Sequence, residues 1–165
     1  MLKAKALATL VLGFVLVACG SEAPKEKVAE SLTVYKSPTC GCCSKWQDHL
    51  TESGIANVGQ NTKLLGDLKT ELGIQSQYRS CHTGVSKDGY VFEGHVPAKF
   101  IDQFLQQPPA NAIGLAVPAM PIGSPGMEVD NGQGGSKFMA YRVLLLKSDG
   151  STEVYASITD YVQQF

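Results

Sequence analysis

The chain has 165 residues with 14 Lys+Arg against 15 Asp+Glu, 44% hydrophobic and 18% charged, the balance of one globular domain rather than of a disordered chain. A formal charge of -1 lacks the basic surplus needed to neutralise several phosphates, which excludes nucleic-acid binding as the main activity. The five cysteines are the informative part, because Cys40, Cys42 and Cys43 crowd into one short stretch, as a conventional disulfide framework does not.

At the N-terminus, Lys3 and Lys5 precede an apolar run from Ala6 to Val17, too short to cross a hydrocarbon core about 30 Å thick. The run closes on Leu16-Val17-Ala18-Cys19, which resembles a bacterial lipobox, where a signal peptidase cuts before an acylated cysteine. The expectation is a lipoprotein signal peptide over residues 1–18, a lipidated Cys19, a flexible tether over residues 19–31 and one domain over residues 32–165. Acyl chains on Cys19 would hold the chain on a membrane without a spanning helix. Gly20 is not the aspartate that retains enteric lipoproteins at the inner membrane. The expected location is therefore periplasmic and lipid-anchored, with the outer membrane favoured.

The domain opens with Leu32-Thr33-Val34-Tyr35-Lys36, a β-branched and aromatic run that predicts a strand ending at Ser37-Pro38. The cysteine loop follows, and then a helix over Ser44 to Ser53, with Trp46 and Leu50 four apart and Gly54 as its stop. A short strand is predicted over Ile55 to Val58. A helix over Lys63 to Leu72 is predicted to carry Leu64, Leu65, Leu68 and Leu72 on its apolar face. Thr83 to Val85 and Tyr90 to Glu93 flank Lys87-Asp88-Gly89 and predict a hairpin. Pro97 opens a helix with Phe100, Ile101, Phe104 and Leu105 as its stripe, closed by Pro108-Pro109. The succession β-α-β-α-β-β-α is that of the thioredoxin fold, so the expected class is α/β and thioredoxin-like. Beyond it, Ala116 to Gly135 is rich in Pro and Gly and predicts a long loop containing Met120 and Met127. A C-terminal hairpin, Tyr141–Lys147 and Thr152–Ala156 about Ser148-Asp149-Gly150, extends the sheet or covers its edge.

The chemistry resides in Cys40, Cys42, Cys43 and Cys81. Cys40 and Cys43 stand at C-x-x-C spacing where a helix begins, and a helix N-terminus favours thiolate over thiol. In the thioredoxin topology the loop entering the third strand lies beside that turn, and here it reads Tyr78-Arg79-Ser80-Cys81-His82. Four sulfurs should therefore converge. They suit two disulfides, a zinc site or a soft-metal site. A three-plus-one arrangement fits tetrahedral Cys₄ zinc poorly, whereas thiolates select Cu(I), and adjacent Cys42 and Cys43 can direct sulfurs to neighbouring ions. More than one bridged Cu(I) is the favoured loaded form. In an oxidising compartment the metal-free form should hold disulfides, Cys40 with Cys43 and Cys42 with Cys81, which avoids a vicinal bridge. Cys40 and Cys43 are the redox-active candidates.

SPTCGCCSKWQDHL, YRSCHTGV, VFEGHVPA and IGLAVPAMPIGSPGMEV, taken in this order, resemble the successive motifs of the CopG-type periplasmic copper-resistance family. The resemblance runs from about Leu32 to Tyr155. It implies a thioredoxin-like periplasmic protein of copper resistance that binds Cu(I) through Cys40, Cys42, Cys43 and Cys81, with disulfides when copper is absent.

His82 adjoins Cys81 and is a candidate ligand, although consecutive strand side chains point to opposite faces. His95 is a candidate from the family motif. Met120 and Met127 are thioethers able to bind Cu(I) in transfer. His49, further along the first helix, is expected to serve in packing, and Trp46 to lie in the core or at the rim of the site. The partners expected are copper ions, the membrane through the lipid anchor and other periplasmic copper-handling proteins. The alternative activity is thiol-disulfide exchange as in the thioredoxin superfamily. Against it, there is no Trp-Cys-Gly-Pro-Cys sequence, and Cys81-His82 stands where thioredoxins carry a peptide-docking proline.

Overall fold

Residues 31–165 are described by the computed structural model; Cys19, the expected signal peptide and nearly all of the expected tether lie outside them. Their elements are β1 (Ser31–Lys36), α1 (Gly41–Glu52), β2 (Ala56–Asn61), α2 (Leu65–Glu71), β3 (His82–Ser86), β4 (Val91–Gly94), α3 (Ala98–Gln106), β5 (Ala112–Val117), β6 (Tyr141–Lys147) and β7 (Thr152–Ile158), with short 3₁₀ turns at Ser76–Tyr78 and Tyr161–Gln164. The expected α/β class holds. All seven strands form one sheet in the order β2-β1-β3-β4-β5-β6-β7. β1 is parallel to β2 and antiparallel to β3, and β4 is antiparallel to β3 and parallel to β5.

Apolar residues cover both faces. Leu32, Val34, Phe92, Leu115 and Val143 pack with Trp46 and Leu50 of α1 and with Ile101 and Phe104 of α3. On the other face, Val91, Ala116 and Leu146 pack with Ile74, Leu72 and Tyr78, just after α2. β3 and β4 lie inside the sheet, with every β4 residue buried, so a charged residue there needs a partner within the protein.

The structure departs from the expectations in five places. β1 begins at Ser31, inside the segment expected as tether, and α1 begins at Gly41, so that Cys42 and Cys43 belong to the helix. β2 runs to Asn61 rather than ending at Val58, because a parallel partner in β1 carries its backbone bonds through a polar stretch. α2 is seven residues long and the side chain it buries is Lys69, while Leu64 is 66% exposed. Of the expected leucine face, Leu72 packs against the core and Leu65 and Leu68 are half-buried, while the fully buried position goes to the ion-paired Lys69. Residues 112–117, partly assigned to the loop, are a strand, because the run Ala-Ile-Gly-Leu-Ala-Val sits between β4 and β6 with both faces covered. The C-terminal hairpin extends the sheet through β6.

Candidate metal centre

The sequence builds the site at the carboxyl end of β1. Ser37-Pro38 turns the chain, the Cys40 N–H donates to Ser37 O at 3.1 Å, and Cys40 becomes the extended cap residue of α1. Cys42 and Cys43 then occupy the first helical turn. Cys40 and Cys43 are joined by a disulfide with Cα atoms 5.4 Å apart, and Cys42 and Cys81 are thiols. Cys42 Sγ lies 3.5 Å from Cys40 Sγ and 3.9 Å from Cys81 Sγ. Cys43 is fully buried, its Sγ 3.8 Å from the Cys81 carbonyl. The four sulfurs lie within 4.8 Å of one another. Of the two expected disulfides, one is formed and the other pair stands as neighbouring thiols.

Cys81 belongs to a second group as well. Its Sγ is 3.2 Å from His82 Nδ1 and 3.3 Å from His95 Nε2, and one donor atom from each of the three residues lies within 4.8 Å of the others. The expectation that Cys81 and His82 diverge fails because Cys81 occupies a bend before β3, where strand alternation does not yet apply. His95 Nδ1 stands 2.8 Å from Pro125 O. A carbonyl only accepts, so Nδ1 carries the proton and the neutral ring presents the Nε2 lone pair to Cys81. His82 Nε2 is buried without a hydrogen-bond partner.

Burial governs the protonation states. It is the main cause that holds His82 well below the ordinary imidazole range, reinforced by His95 and Lys69 nearby. Burial likewise lowers His95, against the Pro125 hydrogen bond and Glu128. Burial, followed by repulsion from Cys42, pushes the Cys81 thiol up to about 12. Without a cation, then, the centre holds two neutral imidazoles and a protonated Cys81. A bound cation would reverse the preference at sulfur by stabilising thiolate.

Trp46 and the Pro/Gly loop wall the site. The Trp46 ring lies 4.3 Å from that of His82, centroid to centroid, and its indole N–H donates to Val96 O at 2.9 Å. The loop is anchored by the Ser80 hydroxyl, which donates to Ala119 O, and by Pro125 O on His95. Gly126 packs against the backbone of α1, where an added Cβ would lie 2.8 Å from Cys42 O and 2.8 Å from Trp46 N. On this loop Met120 is 49% exposed and Met127 half-buried. His49 Nε2 instead accepts from the Ala98 N–H at the start of α3 at 3.0 Å, a packing role.

Two residues of this region escaped the sequence reading. Glu93, fully buried in β4, and Lys69 form an ion pair at 2.5 Å beneath Ser80 and Cys81. The signal was present, since a lone Glu in Tyr-Val-Phe-Glu-Gly is a charge in an otherwise apolar strand.

The fold and the site define a mixed α/β protein with a four-cysteine cluster between a helix start and a strand entrance. Copper resistance protein CopG, form 1, is 36% identical over 79% of this chain and 98% of its own, with a TM-score of 0.71. Its form 2 is 37% identical over 78% and 97%, with a TM-score of 0.70. The chain belongs to the CopG copper-resistance family. The family described as "Protein of unknown function, DUF411" matches residues 78–127, which carry Cys81, His82, His95, Met120 and Met127. Among curated proteins none matches.

Proposed function

We propose that this chain binds more than one Cu(I) ion through Cys40, Cys42, Cys43 and Cys81, with His82 and His95 as nitrogen donors beside Cys81, in periplasmic copper resistance. The observation that carries the reading is the mutual approach of four sulfurs, one of which also faces two imidazoles held neutral by burial. Soft thiolates select Cu(I) over harder ions, and a sulfur lying between two donor groups suits bridging. Met120 and Met127, on a loop tied to Ser80 and His95, are suited to pass copper on rather than to hold it. The lipobox resemblance supports a lipid anchor at Cys19, a mature chain beginning there, and delivery of copper to or from other periplasmic copper-handling proteins. The β2-β1-β3-β4 order with β3 antiparallel supports the thioredoxin-like assignment.

The disulfide adds redox chemistry to the proposal. The Cys40–Cys43 bond takes two electrons to become two thiolates, and two Cu(I) ions supply two electrons on becoming Cu(II). Oxidised protein should therefore either exclude Cu(I) until a reductant is added or oxidise it. The test is anaerobic titration of reduced protein with Cu(I). More than one equivalent bound, with thiolate-to-copper charge-transfer absorption, is expected. Equal affinity for zinc with a one-to-one limit would refute the cluster. Fatty-acid labelling lost in Cys19→Ser tests the anchor.

A second reading, thiol-disulfide exchange, is favoured by one observation: the Cys40–Cys43 bond caps a helix with Cys43 buried and Cys40 half-buried. Turnover of a protein disulfide at a useful rate would support it.

A further inference from the structure

Glu93 and Lys69 bury opposite charges inside the domain, at 0% and 2% exposure, and copper binding as proposed assigns them no task. Glu93 Oε1 accepts from Lys69 Nζ and from the Ser80 N–H, each at 2.5 Å, and Oε2 accepts from Thr83 Oγ1 at 2.5 Å. Lys69 Nζ makes a second bond, to Ser80 O at 2.7 Å. Both backbone groups of Ser80 therefore end on one ion pair, whose charges come from α2 and β4.

Ser80 and Cys81 precede the first ladder pair of β3, His82 with Lys36. Cys81 thus enters the site from a segment outside the sheet, yet it must meet Cys42, which is fixed in a helix. Gly94 lets the segment close down. At its φ of +71°, an added Cβ would stand 2.7 Å from Ser80 Cβ and 2.4 Å from Val117 O. A buried ion pair commonly contributes no more stability than apolar residues of the same volume. Placement is the task that accounts for it here.

We propose that Lys69 and Glu93 are positioning residues for Cys81: by clamping the N–H and C=O of Ser80 they hold Cys81 Sγ within reach of Cys42. The purpose of the clamp rests on the copper reading, but its geometry does not, so the two can be tested apart.

The metal-free arm measures the Cys42–Cys81 effective concentration in a glutathione buffer, using the full chain with Cys19→Ser to remove the fifth thiol. Two thiols and one oxidised glutathione give one protein disulfide and two reduced glutathiones, with the Cys42–Cys81 bond quantified by peptide mapping. The double variant Lys69→Met/Glu93→Leu removes both charges without orphaning either. It should lower that concentration at least about ten-fold and leave the local Cys40–Cys43 bond unchanged. Glu93→Gln keeps an acceptor for the Ser80 N–H and should lose less. Leu146→Ala, which destabilises the core in β6, should lose nothing from the effective concentration.

Wild-type values in the double variant, within about two-fold, overturn the proposal, as does an equal loss in Leu146→Ala. If the double variant does not fold, Glu93→Gln decides: a fall beyond that of Leu146→Ala supports the clamp and no fall overturns it. In the copper arm the double variant should drop to the Cu(I) stoichiometry of Cys81→Ser. Should the wild-type chain take up no Cu(I), the copper reading fails while the disulfide arm still decides the clamp.

Discussion

Gly126→Ala tests whether the Pro/Gly loop is docked on the cysteine helix or merely passes over it. Gly126 has φ +84°, and a methyl group there would lie 2.8 Å from Cys42 O, 2.8 Å from Trp46 N and 3.2 Å from Trp46 Cα. All three are backbone atoms of α1 and cannot swing aside. The left-handed backbone alone costs an L-residue roughly 1–2 kcal/mol, and forcing loop and helix apart adds about 1–3 kcal/mol as overpacking. Gly132 is the internal reference: φ is +75° and nothing lies within 4 Å of the added methyl, so only the backbone cost applies. With about 4 °C of Tm per kcal/mol for a domain of this size, Gly126→Ala should lose about 8–20 °C and Gly132→Ala about 4–8 °C. Thermal unfolding of the metal-free protein measures both. Gly126→Ala should also weaken Cu(I) binding, since the carbonyl it displaces is that of Cys42. Equal Tm losses in the two variants would refute the docking.

Cys81→Ser should lower Cu(I) stoichiometry as severely as Cys42→Ser despite the separation in sequence, because their sulfurs are 3.9 Å apart; anaerobic titration decides it. Since Cys81 is pushed up to about 12, Cu(I) loading near pH 7 must displace its proton. An indicator dye should record about one proton fewer in Cys81→Ser, and wild-type binding should tighten as pH rises. His82 and His95 are lowered in the folded state. Below the ordinary imidazole value near 6.5 the unfolded chain binds the extra protons, so metal-free stability is lost as the pH is lowered, by up to about 1.4 kcal/mol per unit for each ring that stays neutral. Urea denaturation between pH 7.5 and 5 should show a shallower fall in His82→Gln, and an unchanged slope would refute the buried neutral assignment.

What could be read from the residues followed the strength of their local signals. β1, the cysteine turn and α1 were legible because Leu32–Lys36 is β-branched and aromatic, Ser37-Pro38 breaks it, and Trp46 and Leu50 have helical spacing. The approach of Cys81 to the other cysteines was legible because the order of elements, rather than any local pattern, brings a third-strand entrance to a first-helix start. β5 was missed because Gly114 and the neighbouring prolines resemble loop residues, although a parallel strand buried on both faces needs no alternation. The convergence of His82 with Cys81 is hidden from strand alternation because Cys81 lies in a bend one residue before β3 begins. The leucines around α2 account for its partly buried face, but the fully buried position belongs to Lys69, whose pairing with Glu93 is a tertiary contact. No local pattern could have revealed Pro125 O on His95 or Gly126 on α1, because both are contacts made across the fold.

Trp46 is the only tryptophan of the chain, it is fully buried, and its ring faces His82. Excited at the red edge of protein absorbance, where tyrosine is silent, the molecule therefore emits from one place. A change there of charge, packing or nearby heavy atoms will alter the colour or lifetime of that emission. The wall of the site is thus also its optical probe, and it requires no label.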